Sequence, residues 1–270
     1  MIFMTELLFI GGGKMATAIA GGIVKAGVFS AGKIKAFDVN AQSAKNFSEA
    51  TGIECLTNSV ENLIQESKIV LVAVKPQTIT QALQPYKELL KSKLILSIAA
   101  GVTLETLFNL TGSERIVRIM PNTPALFGYG AAGFAPSSKT SLEDVAIAEK
   151  ILSATGLAIR LKETDLDAVT ALSGSGPAYV FEFIQSLADG GVAEGLSRET
   201  ALQLAAQTVL GSAIMVLESG EHPDVLKDKV TSPAGTTSRA LEVLAERGFS
   251  GTVMQAVRAA AHRSRELGKN

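Results

Sequence analysis

Along residues 1–162, short runs of apolar residues alternate with stretches whose apolar positions recur at helical spacing. The runs are Leu7–Ile10, Ile34–Phe37, Ile69–Val74, Leu94–Ile98 and Ile116–Met120. Between them lie amphipathic segments such as Ala41–Thr51 and Glu61–Glu66. Strands that are apolar throughout need cover on both faces, which is the pattern of a parallel sheet flanked by helices. The spacing predicts a doubly wound α/β domain over 1–162, with right-handed crossovers.

From about Glu163 the period changes. No further strand is predicted, and helical stretches run at Pro177–Glu194, Arg198–Glu218, Thr236–Glu246 and Gly251–Leu267. Ser197 reads as an N-cap and Gly220 as a stop. Two of these helices are apolar almost all round: one carries Tyr179, Val180, Phe181, Phe183 and Ile184, the other Val209, Leu210, Ile214, Met215, Val216 and Leu217. A helix without a polar face must be enclosed. A 108-residue all-α domain over 163–270 can hardly enclose two, so a second subunit is expected to cover them.

Composition narrows the functional classes. The chain has 270 residues and a formal net charge of −1, with 25 basic side chains against 26 acidic ones. That balance disfavours nucleic-acid and membrane-surface partners, which call for a basic excess. One cysteine, Cys55, allows no internal disulfide, and two distant histidines give no zinc pattern, so no metal is expected. The opening MIFMTELLFI reads as a strand, because Glu6 interrupts it and no basic segment precedes it. No uninterrupted apolar run reaches the roughly 18 residues of a membrane span, so a soluble, cytoplasmic protein is expected. Residues 1–162 hold 16 basic and 12 acidic side chains, and residues 163–270 hold 9 and 14, which mildly suits the first half to an anionic ligand.

The Leu7–Ile10 run leads directly into Gly11-Gly12-Gly13-Lys14-Met15-Ala16 and then a helix-patterned Thr17–Lys25. This is G-x-G-x-x-A between strand and helix. Gly11 permits the tight turn, Gly13 lets a pyrophosphate approach the backbone, and Ala16 allows close packing of the helix. Met15 after Lys14 excludes a P-loop. Asp38, 22 residues beyond Ala16, stands where an acid can accept the ribose hydroxyls of NAD and repel a 2′-phosphate. The same residue also reads as a helix cap ahead of Ala41–Thr51. Ala73-Val74-Lys75-Pro76 closes the Ile69–Val74 run at the carboxyl edge, with Lys75 facing either a ligand or solvent. Ala99-Ala100-Gly101 and Met120-Pro121-Asn122-Thr123-Pro124 are expected at the same edge.

In the helical half, Ser173-Gly174-Ser175-Gly176-Pro177 is a small-residue loop before a long helix. It lacks the glycine, strand and Asp–His order of a hydrolase elbow, and reads instead as close packing beside a ligand. Val230-Thr231-Ser232-Pro233-Ala234-Gly235-Thr236-Thr237 also opens a helix. It offers amides and hydroxyls suited to a carboxylate, or serves as an ordinary capped turn.

An N-terminal G-x-G-x-x-A, VAVKP, IMPNTP, LSGSGPAY and a final TSPAGTT, in that order over essentially the entire chain, resemble the Δ1-pyrroline-5-carboxylate reductase family. The resemblance implies NADPH- or NADH-dependent reduction of pyrroline-5-carboxylate to L-proline, the last step of proline biosynthesis. It implies a Rossmann domain over 1–162 and a helical dimerisation domain over 163–270, in a homodimer or a larger ring such as a decamer. Carried onto this chain, it puts the cofactor on Gly11, Gly13, Lys14, Met15, Asn58, Ala73, Val74, Lys75 and Ala99, Ala100 and Gly101, with Asp38 added from the glycine spacing. Thr237 and Ser232 become the candidate catalytic residues, and Gly235, Thr236, Ser175 and Glu163 the candidate substrate contacts. Two departures stand out. The family loop often reads SPGGTT, where this chain has Ala234. Many members carry Ser or Asn near Asp38, so Asp38 counts against a strict NADPH preference.

The absence of an obvious acid–base pair fits this chemistry, since a protonated cyclic imine is already electrophilic and needs mainly positioning. A β-hydroxyacid-type dehydrogenase is the competing enzyme, but it would place a lysine on the interdomain helix and residues 163–193 contain none. A nonenzymatic NAD(P)-sensing protein is the competing class, disfavoured by the hydroxyls of Thr236 and Thr237.

Overall fold

A computed structural model describes residues 5–268; Met1 to Met4 of the opening segment lie outside the described residues. The strands are β1 (Thr5–Ile10), β2 (Ile34–Phe37), β3 (Cys55–Leu56), β4 (Ser67–Val72), β5 (Leu94–Ser97), β6 (Ile116–Met120), β7 (Gly130–Pro136) and β8 (Gly156–Arg160). The helices of the first half are α1 (Lys14–Lys25), α2 (Ala41–Thr51), α3 (Val60–Glu66), α4 (Ile79–Leu83), α5 (Lys87–Leu90), α6 (Leu104–Thr111), α7 (Leu142–Ser153) and α8 (Leu166–Val169). Then follow α9 (Gly176–Ala193), α10 (Arg198–Ser219), α11 (Pro223–Lys229), α12 (Thr236–Glu246) and α13 (Phe249–Leu267).

One eight-stranded sheet runs in the order β3-β2-β1-β4-β5-β6-β7-β8. Its first six strands are parallel and follow the order of dinucleotide-binding sheets, with the switch between β1 and β4. Neighbouring residues of β1 serve opposite faces. Leu7 and Phe9 pack with α1, α2 and α7, while Leu8 and Ile10 pack beneath α3 to α6. This double burial is why the strands read as continuous apolar runs.

The sheet differs from the expected all-parallel one at its far edge, where β7 is antiparallel to β6. β7 reads GAAGFAP, a composition of low strand propensity that masks it in the sequence. Its glycines serve packing: Gly130 lies opposite Gly156, where a Cβ on Gly156 would sit 2.1 Å from the Gly130 carbonyl oxygen. Only glycine fits both sides of that pair.

Local capping explains several helix ends. Asn40 and Thr103 accept first-turn amides of α2 and α6, and Gly52 and Gly112 end those helices with positive φ. Ser197 caps α10 and Gly220 stops it, as their types predict.

The chain forms two compact units, residues 5–175 with 260–268, and residues 176–259. The first ends in a π-helical turn over Thr170–Gly174. The last turns of α13 belong to it, held where the Ser264 hydroxyl donates to Asp167 at 2.6 Å. The second unit is all-helical, with a small core of Ala188, Ala201 and Ala205 beside Ile184 and Val192. Its large apolar side chains point outward: Phe181 is 64% exposed and Leu217 77%. By length and composition α10 is also apolar enough to cross a bilayer. The sequence lacks an uninterrupted run of that length because Ser, Thr, Gly and Gln punctuate the helix without making it polar.

Candidate active site

In the first unit, β1 runs into the glycine-rich turn. Gly11 has φ +104°, and a Cβ there would lie 2.7 Å from the carbonyl oxygen of Ala73, so no other residue fits. Gly13 caps α1 with open space on its Cβ side. No side chain caps that helix and no acid occupies its first turn, which leaves the amides beyond Gly13 facing outward with the partial positive charge of the helix end. Ala16 is buried where α1 meets the sheet. These features fit a dinucleotide pyrophosphate.

Asp38 follows β2 and reaches the turn. Its Oδ2 accepts the Gly12 amide and its Oδ1 the Asn40 amide, each at 2.8 Å. The cap of α2 is Asn40, whose side chain accepts the Ser43 amide, so the helix-cap reading of Asp38 gives way to one in which it braces the turn. A cleft of about 310 Å³ opens beside it, lined by Gly11, Asp38, Val39, Val74, Gln81 and Tyr86 among others. That size suits an adenosine moiety.

Cys55, on β3, packs against the same corner. Burial first, and the Asp38 charge second, push its thiol up to about 11. It is therefore no nucleophile at neutral pH.

The other candidate cofactor residues stand along the sheet's carboxyl edge. Ala73 is pinned by its amide to the Ile10 carbonyl, and the exposed Lys75 precedes a 3₁₀ turn whose Thr78 amide bonds the Lys75 carbonyl. Ala99 is buried, Ala100 is exposed, and Gly101 adopts φ +77°. Lys14 is exposed at the start of α1, and Met15 packs on the core. Asn58 follows β3 on the surface and does not line the cleft.

The IMPNTP turn, expected at the carboxyl edge, and the small-residue loop at Ser173, read as close packing, are joined in the structure. Asn122, from IMPNTP, donates from Nδ2 to the Ser173 carbonyl at 3.1 Å, while its Oδ1 accepts the Ala131 amide at 2.8 Å. The Met120 methyl group, at the end of β6, packs over Gly174, where a Cβ would lie 2.4 Å from it unless that flexible side chain moved. Ser175 closes this π turn by donating its amide to the Thr170 carbonyl. Interruptions of this type cluster at functional sites.

Glu163, read as a candidate substrate contact, is engaged otherwise. Its Oε1 accepts the Leu104 amide at 2.7 Å and Arg118 Nη1 at 3.1 Å. The sequence carries no local signal for this pairing, because its members lie 45 and 59 residues apart.

In the second unit, the Ser232–Gly235 turn is closed by the Gly235 amide donating to the Ser232 carbonyl at 3.1 Å. Pro233 and Ala234 occupy its centre, and Ala234 has φ +56°, the type II pattern that favours glycine at this position. A Cβ on Gly235 would lie 2.3 Å from Ser232 Oγ, which explains the second small residue. Gly235 is the N-cap of α12, with no side-chain cap and no first-turn acid. Thr236 and Thr237 begin the helix, with Thr237 half-buried and Ser232 exposed. Open amides and two hydroxyls at a helix N-terminus suit a carboxylate.

Comparison with known proteins follows the same division. A family described as pyrroline-5-carboxylate reductase dimerisation matches residues 163–267, and one described as NADP oxidoreductase coenzyme F420-dependent matches residues 6–101. The pyrroline-5-carboxylate reductase of Methanosarcina acetivorans is 47% identical over 263 residues, covering 97% of each chain. That of Arabidopsis thaliana is 45% identical, covering 97% of this chain and 95% of its own. The crystal structure of Plasmodium falciparum pyrroline carboxylate reductase with NADP bound superposes with a TM-score of 0.88 at 36% identity, over 99% of this chain and 100% of that one. With relatives 45–47% identical over 97% of this chain and the dimerisation family matched over residues 163–267, the chain belongs to the pyrroline-5-carboxylate reductase family.

Proposed function

We propose that this protein reduces Δ1-pyrroline-5-carboxylate to L-proline with NADH or NADPH. The observation that carries the reading is a pair of uncapped helix N-termini, each preceded by a turn that holds a small residue, Gly11 or Ala234, at positive φ. The one at Gly13 suits a pyrophosphate and the one at Gly235 suits a carboxylate. When bound, the reduced nicotinamide supplies the hydride that the imine carbon accepts.

The residues of this chain bind and orient. The amides that open α12 hold the substrate carboxylate, with Ser232 and Gly235 shaping the turn beneath it. The Thr237 hydroxyl faces the ring nitrogen and sets its direction. Gly11, Gly13, Lys14 and the Ala73–Lys75 segment hold the dinucleotide, with Ala99, Ala100 and Gly101 completing that edge and Asn58 beyond β3 contributing from the surface. Ser175 is the remaining candidate substrate contact. A protonated imine needs no proton at the moment of hydride addition, so the rate comes from positioning. The decisive experiment follows NADH and NADPH absorbance with pyrroline-5-carboxylate as substrate; no oxidation of either would reject the reading.

The assembly is a homodimer in which a second copy covers the apolar faces of α9 and α10, and dimers can associate further into a decamer. The match to a dimerisation family supports the pairing of two copies, as do Phe181, Leu204, Leu210, Ile214 and Leu217, all exposed in the single chain. Sedimentation of the purified protein checks it. A folded 28.1 kDa monomer, or partition into detergent, would reject it.

A further inference from the structure

The rim of the cleft beside the glycine-rich turn is electrically one-sided. Asp38 stands there, and no lysine or arginine is among the described residues lining it. The carboxylate is held on both oxygens, by the Gly12 amide on one and the Asn40 amide on the other. Both donors are backbone, so the side chain cannot swing aside without leaving two amides unpaired. A carboxylate has about four acceptor sites, and two remain for a diol. A phosphate monoester in the same place would set a charge of roughly −1.5 to −2 against a fixed negative group, with no cation among the described residues that line the cleft.

We infer that Asp38, pinned between Gly12 and Asn40, makes the dinucleotide site select an unphosphorylated adenosine ribose, and so NADH over NADPH. This rests on the dinucleotide-binding reading above. Family membership leaves the choice open, since the Plasmodium relative holds NADP. The discrimination works by repulsion more than by attraction: an approaching 2′-phosphate meets a charge that cannot relax. Val39, beside Asp38 on the rim and 84% exposed, is the place where a cation would reverse the preference without disturbing packing.

The test uses binding, so that it does not depend on turnover. The purified protein is titrated calorimetrically with 5′-AMP, 2′,5′-ADP, NADH and NADPH. Each unphosphorylated ligand is expected to bind about tenfold more tightly than its 2′-phosphorylated counterpart, a gap that narrows with added salt. Asp38→Asn should shrink the ratio. Val39→Arg, which touches no buried group, should strengthen 2′,5′-ADP by about tenfold and leave 5′-AMP nearly unchanged. Equal or tighter binding of the phosphorylated ligands by the unaltered protein overturns the proposal, as does an unchanged ratio in both variants. If none of the four ligands binds, the dinucleotide reading itself falls, and this inference with it. Binding of all four without the expected order sinks the inference alone.

Discussion

The carboxylate of Glu163 accepts the backbone amide of Leu104 at 2.7 Å, joining residues 59 apart in sequence. The same oxygen accepts Arg118 Nη1, whose side chain is only 10% exposed. Glu163 thus caps the helix that follows the Ala99–Gly101 turn and neutralises a guanidinium withdrawn from water. Glu163→Ala should cost about 2–3 kcal/mol in chemical denaturation, because a nearly buried charge loses its partner. Glu163→Gln keeps an acceptor for Leu104 and should cost less, with the KM for the imine unchanged. A large rise in that KM at unchanged stability would return Glu163 to the substrate site.

Ala234 holds φ +56° where glycine is favoured. The left-handed conformation costs an alanine about 1 kcal/mol, and glycine gives part of that back through the entropy of the unfolded chain. Ala234→Gly should therefore stabilise the protein by about 0.5 kcal/mol, whereas a β-branched Ala234→Val should destabilise it by roughly 2 kcal/mol. Thermal melts of the two variants decide the sign. A destabilising glycine would mean that the turn does not keep this geometry in solution.

Thr237→Ala removes one hydroxyl and leaves the helix amides in place. One orienting hydrogen bond to a charged nitrogen is worth about 1.5–3 kcal/mol, roughly 10- to 150-fold in rate. The loss should appear in kcat as well as in KM for the imine, with NAD(P)H binding unaltered. Steady-state kinetics paired with a nucleotide titration separate the two effects. Normal turnover would reduce Thr237 to the opening residue of a helix.

Cys55 should resist alkylation. With its thiol raised to about 11, only about one molecule in a thousand carries the reactive thiolate at pH 8. The iodoacetamide rate is expected to rise about tenfold per pH unit up to pH 10 without levelling near 9. Since the folded state favours the protonated thiol, its contribution to stability is present below pH 9 and is lost as pH rises toward 11. Fast labelling at pH 7.5 would contradict the burial seen beside Asp38. Bound nucleotide should slow the reaction further if it covers that corner.

Much of the first unit was legible in the chain, because the features that build it are local. The apolar runs of β1, β2, β4, β5 and β6 match the predicted strands closely, since a sheet covered on both faces writes itself as uninterrupted apolar residues. Helix boundaries at Ser197 and Gly220 were equally readable, as caps act through neighbouring amides. β7 was not. Its glycines and alanines have low strand propensity, and its place comes from Gly130 meeting Gly156 and from pairing with β6. The short α11 also escaped detection, being a seven-residue helix opened by His222 and Pro223 with little apolar period.

The sequence alone determined that a glycine turn follows the first strand, that a proline–alanine–glycine turn precedes a late helix, and that two helices carry more apolar surface than their own unit can cover. Each of these follows from residues within a turn or two of one another. It took the folded chain to bind Glu163 to Arg118 and Leu104, to tie Ser173 to β7 through Asn122, and to fix Asp38 by Gly12 and Asn40 instead of as the cap of α2. The raised pKa of the Cys55 thiol belongs with these. Burial and the partner of a charge are set by whatever the fold brings alongside from tens of residues away, and no local pattern encodes that neighbour.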